Sequence, residues 1–211
     1  MSENSDKFDI KIVKNNFESA LLNEDDVRLQ EYLDSFEELN KFFTLMGVIF
    51  RFVSKDLKDK MDLLKELLSH SEKNFTSTKE MIEYEKNNDL LKKKGYTSGS
   101  RTVLRLHRGL DFMKLFLKKL GDLKDDESTC ASCKEAYEQT LAKHHPFIIR
   151  SGAYVAMYSL PTRGVLLAQV CGAPENVQEA IDLLPATLDS ISAVFERIEN
   201  LYTSYDLHKL P

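Results

Sequence analysis

The chain has 211 residues, a formal net charge of −5 and an apolar content of 42%. A chain of this size buries about 70% of its unfolded surface, which excludes disorder throughout and favours one domain. The acidic balance argues against a general nucleic-acid-binding protein, which needs a basic surface to displace counterions. The N-terminus lacks the apolar core of a signal peptide, and an odd count of three cysteines suits a reducing compartment. We expect a cytosolic protein with a flexible segment over 1–7 and a single domain over 8–211.

Apolar residues recur at helical spacing along most of the chain, and the few Gly and Pro residues separate these patterns. The predicted helices are, in chain order, one over 10–21, two between 29 and 68, a weaker one over 72–91, one over 101–120, one over 129–144, an apolar one after Pro146, one opened by Pro161 and one or two over 174–205. Alternating patterns typical of strands are almost absent. The sequence therefore predicts an all-α domain of about eight helices packed in layers.

The segment 42–60 combines an apolar stripe with two ionisable groups. At about 100° per residue, Asp56 and Lys60 lie about 40° apart on one helix face. If the helix is continuous, four apolar residues lie near the same line: Phe42, Leu45, Ile49 and Phe52. A carboxylate and an ammonium would then stand at one end of an apolar surface. An ordinary solvated i,i+4 ion pair, contributing about 0.3–0.5 kcal/mol, explains the same spacing.

The segment 101–108 repeats this arrangement with cations. Arg101, Arg105 and Arg108 lie on one narrow stripe, which continues through Phe112 and Phe116, and the opposite face is also apolar. Like charges one turn apart repel by a few tenths of a kcal/mol, so an anionic group should compensate them. Protein carboxylates could do so, and so could a bound phosphate, whose oxygens suit the planar guanidinium fork. Both segments fit an amphipathic lipid that carries a phosphate.

Other candidate sites are weaker. Cys130 and Cys133 have the spacing of a zinc or redox motif, but there is no second pair and no βαβ context. A histidine at the position of His145 commonly faces water or carbonyl groups at a helix end. Lys92–Lys94 is either a solvated loop or a contact for an anionic membrane. No phosphate loop, nucleophile elbow or metalloprotease motif is found, so neither an enzyme nor a cofactor or metal is expected.

Five short stretches carry a resemblance to a known family: Phe52-Val53-Ser54-Lys55-Asp56, Arg101-Thr102-Val103-Leu104-Arg105-Leu106-His107-Arg108, His145-Pro146-Phe147, Leu160-Pro161-Thr162-Arg163 and Leu210-Pro211. At these residues the sequence resembles the glycolipid transfer protein family, and within it the members that transfer ceramide 1-phosphate. The similarity runs from Phe8 to Pro211, and the arginine-rich octapeptide is its most specific part. The resemblance implies a two-layer helical sandwich whose layers part to admit lipid chains.

The resemblance also implies roles for five residues. Asp56 would accept a hydrogen bond from the ceramide amide, and His145 would bind the acyl carbonyl. The phosphate would be bound by Lys60, Arg101 and Arg105. Family members specific for sugar head groups carry Trp in place of Arg105 and Asn in place of Lys60, and this chain contains no Trp.

One residue departs from the family pattern and bears on contact with membranes. Phe147 stands where the family usually has Trp, whose amphipathic ring favours the membrane interface.

The sequence therefore predicts a non-enzymatic carrier of ceramide 1-phosphate. It would act as a monomer that contacts membrane surfaces transiently and does not bind nucleic acid. We expect it in the cytosol, reversibly on membranes such as the trans-Golgi and plasma membrane, with the nucleus as a further location. A helical scaffold whose charged stripes bind protein helices, with no lipid cargo, is the alternative.

Overall fold

The computed structural model describes residues 7–211, so residues 1–6 of the predicted flexible N-terminus lie outside the described residues. The described residues form ten α-helices. They are α1 (Ile10–Ala20), α2 (Leu29–Leu45), α3 (Arg51–His70), α4 (Glu72–Phe75), α5 (Thr78–Asn87), α6 (Gly99–Asp122), α7 (Thr129–Gln139), α8 (Phe147–Tyr158), α9 (Arg163–Cys171) and α10 (Pro174–Ser204). Two-residue strands, β1 (Leu21–Leu22) and β2 (Asp26–Val27), pair antiparallel between α1 and α2. The predicted all-α class is confirmed.

The predicted helix over 72–91 is wrong in detail, because the chain breaks it into α4 and α5. The main-chain oxygen of Thr76 accepts a hydrogen bond from the Leu29 amide (2.9 Å), which draws this segment towards the start of α2. The Ser77 hydroxyl then accepts from the Glu80 amide and caps α5. Long-range pairing has overridden a weak local helical pattern.

The stripe drawn from Phe42 to Asp56 on a continuous helix is also wrong. α2 ends at Leu45, and Gly47 follows with φ of 123° and ψ of 171°, a conformation that is almost restricted to glycine. A 3₁₀ turn over Val48–Phe50 then leads into α3. The break rotates α3 relative to α2, so residues on the two helices do not share one helical wheel.

α6 is the central helix, and it contacts α3, α5, α7 and α10. Val103, Leu106 and Leu110 are fully buried on it, as the pattern of two apolar faces predicts. The surrounding hydrophobic core extends from Phe8 to Leu210. Among the described residues, no helix is both long and apolar enough to cross a bilayer.

Replacing Gly47 by alanine tests the helix break. We expect Gly47→Ala to destabilise the protein by about 1–3 kcal/mol, because the Cβ forces strain onto this backbone conformation. An added Cβ would meet no atom within 4 Å, so backbone strain is the only cause. Gly152→Ala, inside α8 and equally free of neighbours, should instead stabilise by about 0.5–1 kcal/mol. Urea unfolding of both variants measures the difference, and equal effects would contradict the strain at Gly47.

Candidate functional site

A cavity of about 420 Å³ lies between α2, α3, α6, α7 and α8. Most of its lining is apolar and includes Phe36, Leu39, Phe43, Leu57, Phe112, Met113, Ala153 and Met157. The lining also includes four charged residues, Asp56, Lys60, Arg105 and Arg108, together with His144, His145 and Tyr137. Electrostatic interactions join His145 to Asp56 and Lys60, and Arg108 to Arg105 and His144, so these groups lie close together. The cavity is therefore an apolar pocket with a polar, mainly cationic end.

The α3 side of this polar end carries an ion pair. The Lys60 ammonium bonds to the Asp56 carboxylate and lies 3.4 Å from the main-chain oxygen of Asp56. The Lys60 side chain is only 18% exposed, whereas that of Asp56 is 67% exposed. The predicted i,i+4 pair therefore forms, with its carboxylate towards solvent and its ammonium against the protein.

The arginine row of α6 is compensated by main-chain oxygens near residue 211. Arg101 Nε and Arg105 Nη2 both donate to the main-chain oxygen of Pro211, at 3.3 and 3.2 Å. Arg108 Nη2 donates to the main-chain oxygen of His208 at 2.9 Å. No aspartate or glutamate within residues 7–211 forms an ion pair with these three arginines. Main-chain oxygens, rather than aspartate or glutamate side chains, therefore pair with the row.

The segment that supplies these oxygens is packed against the core. Leu207 and Leu210 are buried, at 5% and 6% exposure, and they alternate with more exposed neighbours. This packing keeps the oxygens of His208 and Pro211 over the arginine row.

Burial, and repulsion from Arg105, lower the pKa of Arg108 from its ordinary value.

A buried glutamate fixes the start of α6 and thereby the direction of the arginine row. The Glu85 carboxylate is fully buried and accepts from the amides of Gly99 (2.6 Å) and Ser100 (3.0 Å). It also accepts from the hydroxyls of Tyr96 and Ser98. A carboxylate at a helix N-terminus satisfies otherwise unpaired amides and complements the helix dipole. Glu85 therefore positions the first turn of α6.

His145 lies between a tyrosine and the ion pair of α3. Its Nδ1 is 2.9 Å from the Tyr137 hydroxyl. Burial lowers the pKa of His145, and the Lys60 charge acts in the same direction, while Asp56 opposes both. The lowered pKa favours the neutral imidazole, in which one ring nitrogen is a donor and the other an acceptor.

A family model described as glycolipid transfer protein matches residues 27–172 of the chain. The chain belongs to the glycolipid transfer protein family. It is 36% identical over 212 residues to a ceramide-1-phosphate transfer protein of Danio rerio, covering 98% of this chain and 100% of that protein. It is 34% identical over 217 residues to the protein of that description in Homo sapiens, with full coverage of both.

Solved structures give the same family fold. The mouse ceramide-1-phosphate transfer protein in its apo form aligns with a TM-score of 0.89 and 34% identity, covering 97% of this chain and 100% of that one. The human protein in complex with 12:0 ceramide-1-phosphate aligns with a TM-score of 0.86 and 33% identity, at the same coverage. The architecture is thus the two-layer glycolipid transfer protein fold.

In this glycolipid transfer protein relative, four of the five predicted site residues line the cavity: Asp56, Lys60, Arg105 and His145. Arg101 does not line it, and is linked to Arg105 through the Pro211 oxygen to which both residues donate. Sequence reasoning missed Tyr137 and Glu85, which orient site residues from other helices. Helical spacing in the sequence could not indicate either residue, because Tyr137 contacts His145, and Glu85 contacts the start of α6, across separate elements of the fold.

Exposed apolar side chains occur in the two chain segments that bring Phe52 and Ile149 to the cavity in this family member. We call this surface the apolar rim, defined as Val48, Ile49, Phe52, Phe147, Ile148 and Ile149. Each is at least 40% exposed, and Phe147 and Ile148 reach 74% and 81%. Phe52 and Ile149 also line the cavity, which makes the rim continuous with the apolar interior. Large exposed apolar patches mark binding surfaces on proteins.

Proposed function

We propose that the protein transfers ceramide 1-phosphate between membranes without catalysing a reaction. The observation that carries the proposal is an apolar cavity of about 420 Å³ whose polar end holds Lys60, Arg105 and Arg108. Support comes from its relatives, since the human protein of similar sequence and fold was solved with 12:0 ceramide-1-phosphate. Hydrocarbon and phosphate have opposite solvation requirements, and this cavity meets both.

The apolar part of the cavity would receive hydrocarbon. Moving a lipid chain from a bilayer into water costs roughly 0.8 kcal/mol per methylene, or about 12 kcal/mol for a sixteen-carbon chain. A lining of Phe36, Leu39, Phe43 and Phe112 replaces the bilayer interior and removes most of this barrier. The protein therefore needs no chemical step to move lipid, only a cavity that opens at a membrane.

Lys60, Arg101 and Arg105 would bind the phosphate. A phosphomonoester carries about −1.5 to −2 charges at neutral pH, so several cations are needed to replace its hydration. Arg101 and Arg105 donate to the Pro211 oxygen, and phosphate oxygens would take over these hydrogen bonds. Charged hydrogen bonds of this kind contribute about 1.5–3 kcal/mol each. The exchange leaves the guanidinium groups paired in both states.

Asp56 and His145 would recognise the ceramide amide. The exposed Asp56 carboxylate can accept from the amide N–H while it stays paired with Lys60. A hydroxyl proton of Tyr137 donated to Nδ1 of His145 leaves the other ring nitrogen protonated, and this nitrogen can donate to the acyl carbonyl. The two residues thus satisfy both polar atoms of one amide, independent of the head group.

The apolar rim would contact the membrane while lipid enters or leaves. Its side chains are large and exposed. The phenyl ring of Phe147 lacks the polar N–H of the Trp that is usual in the family, so it would offer no hydrogen-bond donor at the interface. We propose that the protein works as a monomer from the cytosol and binds membranes such as the trans-Golgi and plasma membrane peripherally and reversibly. The nucleus is a further proposed location.

Arg105→Leu tests the phosphate role. We expect at least a tenfold loss of ceramide 1-phosphate affinity and slower transfer between vesicles, because one charged donor is removed. The melting temperature should change little, since loss of the Pro211 contact is offset by relief of repulsion with Arg101 and Arg108. Lys118→Leu removes the same charge from an exposed position on α6 and should transfer normally.

Two outcomes would contradict this head-group assignment. One is a marked fall in the melting temperature of Arg105→Leu with transfer intact, as expected for a structural ion pair in a scaffold. The other is transfer of neutral galactosylceramide by the unmodified protein at an equal or higher rate.

Asp56→Val tests recognition of the amide. We expect weaker binding of both ceramide 1-phosphate and unphosphorylated ceramide, by about tenfold or more, because the amide acceptor is lost whatever the head group. Asp62→Val is the matched control, since Asp62 forms the equivalent ion pair with Lys58 on the same helix. Lipid binding is measured by native mass spectrometry, with circular dichroism as the folding check. Identical binding by the two variants would disprove the role of Asp56.

Phe147→Ser tests the apolar rim. Burial of a phenylalanine side chain contributes about 1.5–3 kcal/mol, so vesicle association should fall by about tenfold. Affinity for ceramide 1-phosphate in detergent solution should not change, because Phe147 does not line the cavity. Ile12→Ser, at an exposed position on α1, is the control. Vesicle sedimentation measures the effect, and unchanged sedimentation of Phe147→Ser would exclude Phe147 from the docking surface.

A further inference from the structure

The connection between α7 and α8 brings two adjacent histidines to the polar end of the cavity. It begins with a 3₁₀ turn over Ala142–His144, in which the amide of His144 donates to the main-chain oxygen of Leu141 at 2.9 Å. The amide of His145 donates to the main-chain oxygen of Ala142 at 3.3 Å. Both histidines line the cavity, so the turn fixes where two imidazoles meet a bound ligand.

The two histidines interact with different helices. His145 interacts with the Lys60 ammonium on α3, whereas His144 interacts with the Arg108 guanidinium on α6. The pair therefore spans the polar end from the ion pair of α3 to the arginine row. His145 already has a role in the proposed recognition of the ceramide amide, but His144 has none.

The surroundings of His144 disfavour a positive charge on its ring. Loss of hydration where the ring faces the protein is the largest cause, and the charges of Arg108 and Lys143 add to it. His145 acts in the same direction, and Asp111 on α6 opposes them. Together they lower the pKa of His144 from 6.5 to about 4. No residue within 7–211 hydrogen-bonds to the ring, and His144 is exposed, so both a ligand and solvent protons can reach it.

A phosphate at this end of the cavity would reverse that balance. An opposite charge within about 4–6 Å favours the charged form of a titratable group. A phosphomonoester brings about −1.5 to −2 charges, which would also offset the Arg108 charge that now repels a proton on His144. A neutral lipid brings no such charge and leaves the ring neutral.

We propose that His144 is a further phosphate-binding residue, and that it takes up one proton from solvent when the phosphate binds. This inference rests on the proposed function, because it places the lipid phosphate beside the arginine row. Binding would raise the pKa of His144, so the affinity contributed by this residue rises as the pH falls through the pKa of the complex. It stops rising near pH 4, where the ring is protonated without ligand as well. Lipid binding is thus linked to pH through the head group alone.

The experiment is titration calorimetry of a short-chain, soluble ceramide 1-phosphate at pH 5.5 and 7.5, in buffers of different ionisation enthalpy. The dependence of the heat on the buffer gives the number of protons taken up. At pH 5.5 we expect the unmodified protein to take up about one proton more than His144→Gln, if binding restores at least the ordinary pKa of 6.5. The affinity ratio of the two proteins should be about tenfold larger at pH 5.5 than at pH 7.5.

Two further variants sharpen the test. His144→Lys carries its charge before binding, so it should lose the proton uptake, keep tight binding at pH 5.5 and exceed the affinity of the unmodified protein at pH 7.5. His70→Gln makes the same change as His144→Gln at an exposed histidine of α3 that does not line the cavity. It should match the unmodified protein in proton uptake and affinity at both pH values.

The outcomes separate this inference from the proposed function. Equal proton uptake by the unmodified protein and His144→Gln, with both binding the lipid, would overturn the role of His144. The same extra uptake on binding of unphosphorylated short-chain ceramide would also overturn it, because the phosphate would then not be the cause. If the unmodified protein does not bind ceramide 1-phosphate at either pH, the proposed function itself fails.

Discussion

Positive charge held beside an apolar cavity is the constraint on which the rest of the structure depends. Arg101, Arg105 and Arg108 share one face of α6 and repel one another, so the helix needs polar partners along this face. The main-chain oxygens of His208 and Pro211 supply them. These oxygens leave the guanidinium groups able to exchange one partner for another, as the proposed binding of a phosphate requires.

The cavity itself is a second constraint, because unfilled apolar volume lowers stability. α8 supplies only three buried side chains, Ala153, Ala156 and Met157, two of them small, while its first turn is exposed. Because few side chains of α8 are buried, little of its packing would be disrupted when a lipid chain enters the cavity. By contrast, the rings of Phe42, Phe43, Phe112 and Phe116 pack on one another with centroid distances of 5.7 to 6.4 Å. The structure thus combines a sparsely packed helix with a closely packed cluster of rings.

Much of this protein follows from local sequence. Helical periodicity is encoded in neighbouring residues, so the all-α class and most helices could be predicted. The spacing of Asp56 with Lys60, and of the three arginines, also follows from one helical turn. Short motifs such as the octapeptide 101–108 indicated the family. Each of these features depends on residues less than about two turns apart.

Only the tertiary structure determined which helices and side chains contact one another. Gly47 follows the end of α2, and Phe43 rather than Phe42 lines the cavity, contrary to the expectation from a continuous helical wheel. The partner of Arg105 lies at Pro211, more than 100 residues away, and Tyr137 reaches His145 from another helix. Such contacts depend on packing between helices, which no periodicity within one helix encodes. Sequence therefore determined which groups are present, and packing determined which of them face the cavity.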